Sequence, residues 1–166
     1  KWPAKPRLPG PPRALAAATY LTSDWQCSPC CLRVCQIAPL HEIRRHEGEA
    51  AFRNRAGELL DLAGQLAKSA ANASPHAVQV AGGVPPMFGS YQPDKFDAGR
   101  ASEMMALFRQ HLAPYVDVFM AETHSSIAEA QCFLDAFADC EKPVWLSLTL
   151  EDAEPVAGQP MLRSGE

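Results

Sequence analysis

At 166 residues the chain is long enough for one ordinary domain, or for part of a larger one. A hydrophobic share of 47% with 20% charged residues suits a globular chain with a real core, and no apolar run is long enough to span a bilayer. The formal net charge of -4 argues against a nucleic-acid-binding protein, which carries a basic stripe.

In chain order, residues 1–18 read as a proline-rich lead-in expected to be disordered, and residues 19–166 as one folded domain. The lead-in begins with basic residues, but prolines stand where a signal peptide needs a compact apolar stretch. The six cysteines are therefore expected as reduced thiols in the cytoplasm.

Four of those cysteines crowd into "DWQCSPCCLRVC": Cys27, Cys30, Cys31 and Cys35. A metal site would usually need two separated pairs of ligands. A redox site is suggested by "WQCSPC", with Cys27 as attacking thiol and Cys30 as its partner, which makes a thiol-disulfide oxidoreductase the alternative function. The third reading is incidental thiols at a strand-to-helix junction. Cys132 and Cys140 read as core or helix-end thiols.

From Glu49 to Ala71, Phe52, Ala56, Leu59, Leu60, Leu62, Ala63, Leu66, Ala67 and Ala70 form a broad apolar stripe, which predicts a helix. "AVQVAGG" (77–83) reads as a buried strand, and a loop with Pro85, Pro86, Gly89 and Pro93 follows. Ala101, Met104, Met105, Phe108 and Leu112 mark a second helix, stopped by Pro114. "YVDVFMAE" (115–122) is the next predicted strand. Ser126 with Glu129 fits a capping box that opens a third helix, running through Ile127, Ala130, Phe133, Leu134 and Phe137. "PVWLSLTL" (143–150) is a further strand, and the remaining residues read as loop.

Strands that alternate with amphipathic helices imply an α/β fold with a parallel sheet. A doubly wound sheet and a (β/α)8 TIM barrel both fit, but a whole barrel takes roughly 250 residues. In either architecture ligands bind at the carboxyl ends of the strands. There the chain offers Gly82 and Gly83, Glu122 with His124, and the hydroxyls of Ser147 and Thr149. A carboxylate closing an apolar strand is costly unless paired, so Glu122 is either a grip on a substrate cation or half of an ion pair. His124 fits a hydrogen-bonded loop histidine. Ser147 and Thr149 lack a base at recognisable spacing, so they read as packing and backbone-bonding residues.

"VAGGVPPMFGSYQPDKF", "VDVFMAETHSSIAEAQ" and "KPVWLSLTLED" leading to "LRSGE" together resemble the homocysteine S-methyltransferase family, in order and in approximate spacing. The likeness is to members that use S-methylmethionine or a related sulfonium donor. "YLTSDWQCS" resembles the close of an earlier barrel strand in the same family.

The resemblance implies a (β/α)8 barrel in which cysteine-held zinc binds the thiol of homocysteine, and methyl transfer gives methionine. It implies that Glu122 holds the substrate amino group and that Gly82 and Gly83 form the pocket floor. Trp25 stands where the family has a pocket tyrosine, and Thr149 of the next matched strand is expected, with Glu122, Gly82, Gly83 and Trp25, among the substrate-binding residues. The family's zinc cysteines have no match here and are expected beyond Glu166. The chain is accordingly expected to be a partial barrel, either an incomplete copy or a non-catalytic truncated product. The expected partners are homocysteine and a sulfonium donor, with neither nucleic acid nor membrane. Self-association is expected through exposed barrel edges, with Val78–Ala81 and Val116–Met120 as the exposed strands.

Overall fold

A computed structural model describes residues 31–35, 48–152 and 160–166. The elements alternate along the chain: β1 (Cys31–Cys35), α1 (Glu49–Asn72), β2 (Val78–Val84), α2 (Ala98–Leu112), β3 (Val118–His124), α3 (Ile127–Ala136) and β4 (Val144–Leu148). The strands form one parallel sheet in the order β1-β2-β3-β4. Each strand thus lies beside the one before it. A doubly wound sheet reverses its strand order at a switch point, and the described strands contain no such reversal. The α/β class is as expected, and the sequential winding is compatible with part of a (β/α)8 barrel.

The helices pack on one face of the sheet, α1 against α2 and α2 against α3. Between them and the strands lies the core: Phe52, Ala56 and Leu60 from α1, Met104, Met105 and Phe108 from α2, Val80 and Val84 from β2, Phe119 and Ala121 from β3, and Phe133 from α3. The buried stripe of α1 is narrower than the sequence suggests. Phe52, Ala56, Leu60, Ala67 and Ala71 are buried, whereas Leu62 and Leu66 are exposed. The helix passes close to its neighbours at two glycines. A Cβ on Gly57 would sit 2.6 Å from the His111 ring, and one on Gly64 would sit 2.7 Å from Tyr115 Cγ. These glycines let α1 approach residues at and just beyond the end of α2.

The strand expected at 115–122 begins three residues later, at Val118. Tyr115 belongs to the helix-to-strand connection and packs against Gly64. Asp117 ties that connection to β2. Its backbone N–H donates to the Val80 carbonyl at 2.7 Å, and its carboxylate accepts from Val80 N at 2.7 Å. The Lys68 ammonium lies 3.2 Å from the same carboxylate. The bond from Val80, with help from Lys68, holds the Asp117 carboxyl below its ordinary value against a smaller effect of burial.

The expected exposed strands are not exposed. β2 and β3 are the two central strands, and Val80, Ala81, Val118 and Phe119 are buried. The edges of the described sheet are β1 and β4, and on β4 Trp145, Leu146 and Leu148 are exposed. The terminal stretch, expected to be loop, carries an antiparallel bridge between Leu150 and Leu162.

Candidate functional site

β3 is where the sheet departs from regular pairing. Phe119 pairs with Val144, Met120 with Trp145 and Ala121 with Leu146, but the next pair is His124 with Leu148. Glu122 and Thr123 therefore oppose a single residue, Ser147, which is the geometry of a β-bulge. Thr123 takes the strain, at φ 56. A β-branched residue seldom occupies that left-handed region. The bulge resets the alternation of side chains along the strand. Phe119 and Ala121 point into the helix-side core, and so does His124 beyond the bulge, edge-on to Phe133 with ring centroids 5.9 Å apart.

By the same pleat, Met120 and Glu122 lie on the opposite face, where both are half-buried. Glu122 was expected to close its strand; it lies two residues inside, because the bulge extends β3 to His124. Of the two glycines, Gly83 alternates onto the Glu122 face and pairs with Met120. Gly82 faces the core, where a Cβ would meet Phe119 and Val116 side chains at 3.1 Å. Its missing side chain serves close packing between β2 and β3. Trp25, Cys27 and Cys30 lie outside the described residues. Cys31 and Cys35 are described only as the ends of β1.

Past the bulge, a polar cluster ties the strand ends together. His124 Nε2 donates to the Val84 carbonyl of β2 at 3.3 Å. Thr149 N donates to the His124 carbonyl at 2.8 Å, and Thr149 Oγ1 donates to that same carbonyl at 3.2 Å. Ser125 Oγ lies 2.9 Å from Thr149 Oγ1. The hydroxyl of Thr149 is therefore engaged in joining β4 to β3. The segment 160–166 docks on the same end: Ser164 N donates to the Ser125 carbonyl at 3.0 Å, and Arg163 N to that of Thr149 at 3.2 Å. The Arg163 guanidinium stands over the Tyr91 ring and pairs with Asp152 at 2.8 Å.

α3 starts within this cluster. Ser126 Oγ accepts from Glu129 N at 3.1 Å, and the Glu129 carboxylate accepts from Ser125 N at 2.6 Å. This is the capping box expected from the sequence, with the return bond made one residue earlier. Burial pushes the Glu129 carboxyl up, although the amides of Ser125 and Ser126 pull the other way. The Glu166 carboxylate accepts from Ile127 N at 2.9 Å, which adds a negative group at the helix N-terminus.

His124 is the residue that sequence reasoning placed least well. It is fully buried in the last position of β3 rather than in a loop. Burial drives its imidazole below the ordinary histidine value, against smaller opposing effects from the Val84 and Glu129 backbone. Its Nδ1 has no hydrogen-bond partner among the described residues. Nothing in "AETHSS" signals this, because the bulge that turns the ring inward is not written in residue type.

Among the described residues no three His, Cys, Asp or Glu side chains converge as metal ligands. Cys132 and Cys140 are free, half-buried and packed against the core, as expected. Burial and the nearby Asp135 push the Cys132 thiol up, which disfavours the thiolate a metal would need. The described residues thus do not fit a zinc centre. Nor is any described helix long and apolar enough to cross a membrane.

The fold defines an α/β protein with a sequentially wound parallel sheet, whose strand ends are tied together by the polar cluster of His124, Ser125 and Thr149. The family model for homocysteine S-methyltransferase matches residues 17–166, and the chain belongs to that family. Neither a curated protein nor a solved structure gives a match.

Proposed function

We propose that this chain forms the homocysteine-holding side of a (β/α)8 methyltransferase barrel, with a sulfonium compound such as S-methylmethionine as methyl donor. The observation that carries this reading is the placement of Glu122. In a chain that matches the family over residues 17–166, Glu122 stands at the bulge on the face opposite the helix-side core, which it shares with Gly83. A carboxylate there suits the ammonium of an amino acid, and the glycine leaves space for the ligand to approach the backbone. Thr149 and Gly82 support this face through the strand-end ties and the close packing beneath it. Trp25 is the further substrate-binding residue that the family resemblance implies on this reading.

In the reaction, the homocysteine thiol gives up its proton to water and the sulfur attacks the donor's methyl carbon. A new carbon–sulfur bond forms as the methyl–sulfonium bond breaks. That electron pair stays on the donor sulfur, which leaves as a neutral thioether, and the product is methionine. A free thiol has a pKa near 8.5, so the step needs thiolate stabilisation. The family's zinc supplies that, and the described residues do not fit it. Turnover therefore requires ligands from outside them.

The experiment is to exchange residues 17–166 into a complete barrel of this family and follow labelled methyl from S-methylmethionine into methionine. Transfer by the chimera, reduced about tenfold or more in kcat/KM by Glu122→Gln, is the expected result. Equal transfer by both chimeras would remove Glu122 from the site. The oxidoreductase alternative rests on Cys27 and Cys30 alone, and no described feature favours it.

A further inference from the structure

We propose that His124 is a positioning residue for Glu122: its neutral imidazole clamps the carboxyl end of β2 to the bulge of β3, and protonation releases the clamp. This deepens the functional reading and rests on it for the role of Glu122.

The tautomer follows from the partners. The Val84 carbonyl can only accept, so the proton is on Nε2 and the lone pair on Nδ1. That bond bridges the end of β2, which carries Gly83, and the residue that closes the bulge two positions after Glu122. The ring is fully buried, edge-on to Phe133, and Nδ1 is orphaned. An unsatisfied buried polar atom costs stability, so its retention at the bulge calls for an explanation.

A proton on Nδ1 would add a buried charge, and the Val84 and Glu129 backbone, which favour the charged ring, offset only part of the cost of burying it. The surrounding elements offer little compensation. β2 and β4 carry no charged residue. From α3 comes Glu129, whose carboxylate is turned to Ser125 N. From α2, Arg109 donates to the Ala136 carbonyl at 2.9 Å. From the terminal segment, Arg163 is paired with Asp152, and Glu166 accepts from Ile127 N. On its own strand, Glu122 lies on the opposite face.

The sign follows from linkage. The folded imidazole binds a proton less readily than the unfolded one, so its contribution is fully present above about pH 6.5. It is lost as pH falls below that value towards the lowered folded value. Glu129 has the opposite sign, because its raised carboxyl favours the fold at low pH and loses that advantage as pH rises above 4.5. A variant that removes only the histidine separates the two.

The test is nitrogen-15 NMR of the whole chain, without ligand, from pH 7 down to the acid limit of the folded state. The expected result is a neutral Nε2–H imidazole at pH 7. The Gly83, Val84 and Glu122 amide signals should then move together with its titration. In His124→Gln the side-chain amide keeps a donor towards Val84 but does not titrate, so the same amides should hold their neutral-pH positions throughout. The melting temperature of the variant should also lose part of the acid-dependent fall below pH 6.5. An imidazole charged at pH 7, or amide shifts that titrate equally in His124→Gln, would overturn the proposal. Because no homocysteine is used, failure here is distinct from failure of Glu122 to bind it.

Discussion

Ser126 shows how much one side chain contributes at the start of α3. Its hydroxyl satisfies Glu129 N at 3.1 Å, and it is buried, so water does not replace the bond when the hydroxyl is removed. Ser126→Ala should lower stability by about 1 kcal/mol in urea unfolding. A change within experimental error would mean that Glu129 and Glu166 cap the helix without it. This cap was legible in the sequence, because Ser126 and Glu129 stand at the spacing that local hydrogen bonding requires. The role of His124 was not. Whether a strand-end histidine faces solvent or core depends on the bulge at Thr123, a backbone event set by the pairing of β3 with β4.

Among the elements, α1 and its contacts govern how tightly the helical layer closes. Tyr115 sits against Gly64, with Cβ, Cγ and Cδ2 all in the path of an added methyl group. Those atoms lie near the backbone, so the ring cannot move aside by rotating its tip. Gly64→Ala gains about 1 kcal/mol in helix propensity, but overpacking here costs about 1–3 kcal/mol. The expected net result is a lower melting temperature, and a higher one would mean that Tyr115 repacks freely. Asp117 makes a second test of element-level packing, since it joins the entry of β3 to β2. Its carboxyl is held below the ordinary value, so it stabilises the fold above about pH 3.8 and loses that effect as pH falls through the lowered value. Asp117→Asn should flatten the acid limb of the stability curve in that range. An unchanged acid limb would show that the Val80 bond does not favour the ionised form. Tyr115–Asp117 resemble strand in the sequence because alternating apolar residues look alike before and after a strand begins. What excludes them is tertiary: the ring packs on Gly64 and the carboxylate turns back to Val80.

At the scale of the molecule, the four described strands follow one another in order and carry their helices on one face. That winding was legible as alternation of strand and helix patterns, and the family was legible in three separated motifs. Which strands would be exposed was not, since it depends on the number of neighbours rather than on residue type. Trp145, Leu146 and Leu148 are exposed on β4, at 47%, 41% and 40%. Pairing of this edge with a second copy is expected to give concentration-dependent association in sedimentation velocity. Leu146→Lys should weaken it, and a monomer at all concentrations would contradict the expectation. The central claim, however, is that the bulged strand presents Glu122 to the ammonium of homocysteine. The most direct measurement is calorimetric titration of the chain and of Glu122→Gln with homocysteine and with 4-mercaptobutyrate, which lacks the amino group. A charged hydrogen bond is worth roughly 1.5–3 kcal/mol, so the variant should bind homocysteine about tenfold or more weakly. It should bind 4-mercaptobutyrate as the unmodified chain does. Equal affinity of both proteins for homocysteine, or an equal loss for both ligands, would contradict the assignment of Glu122.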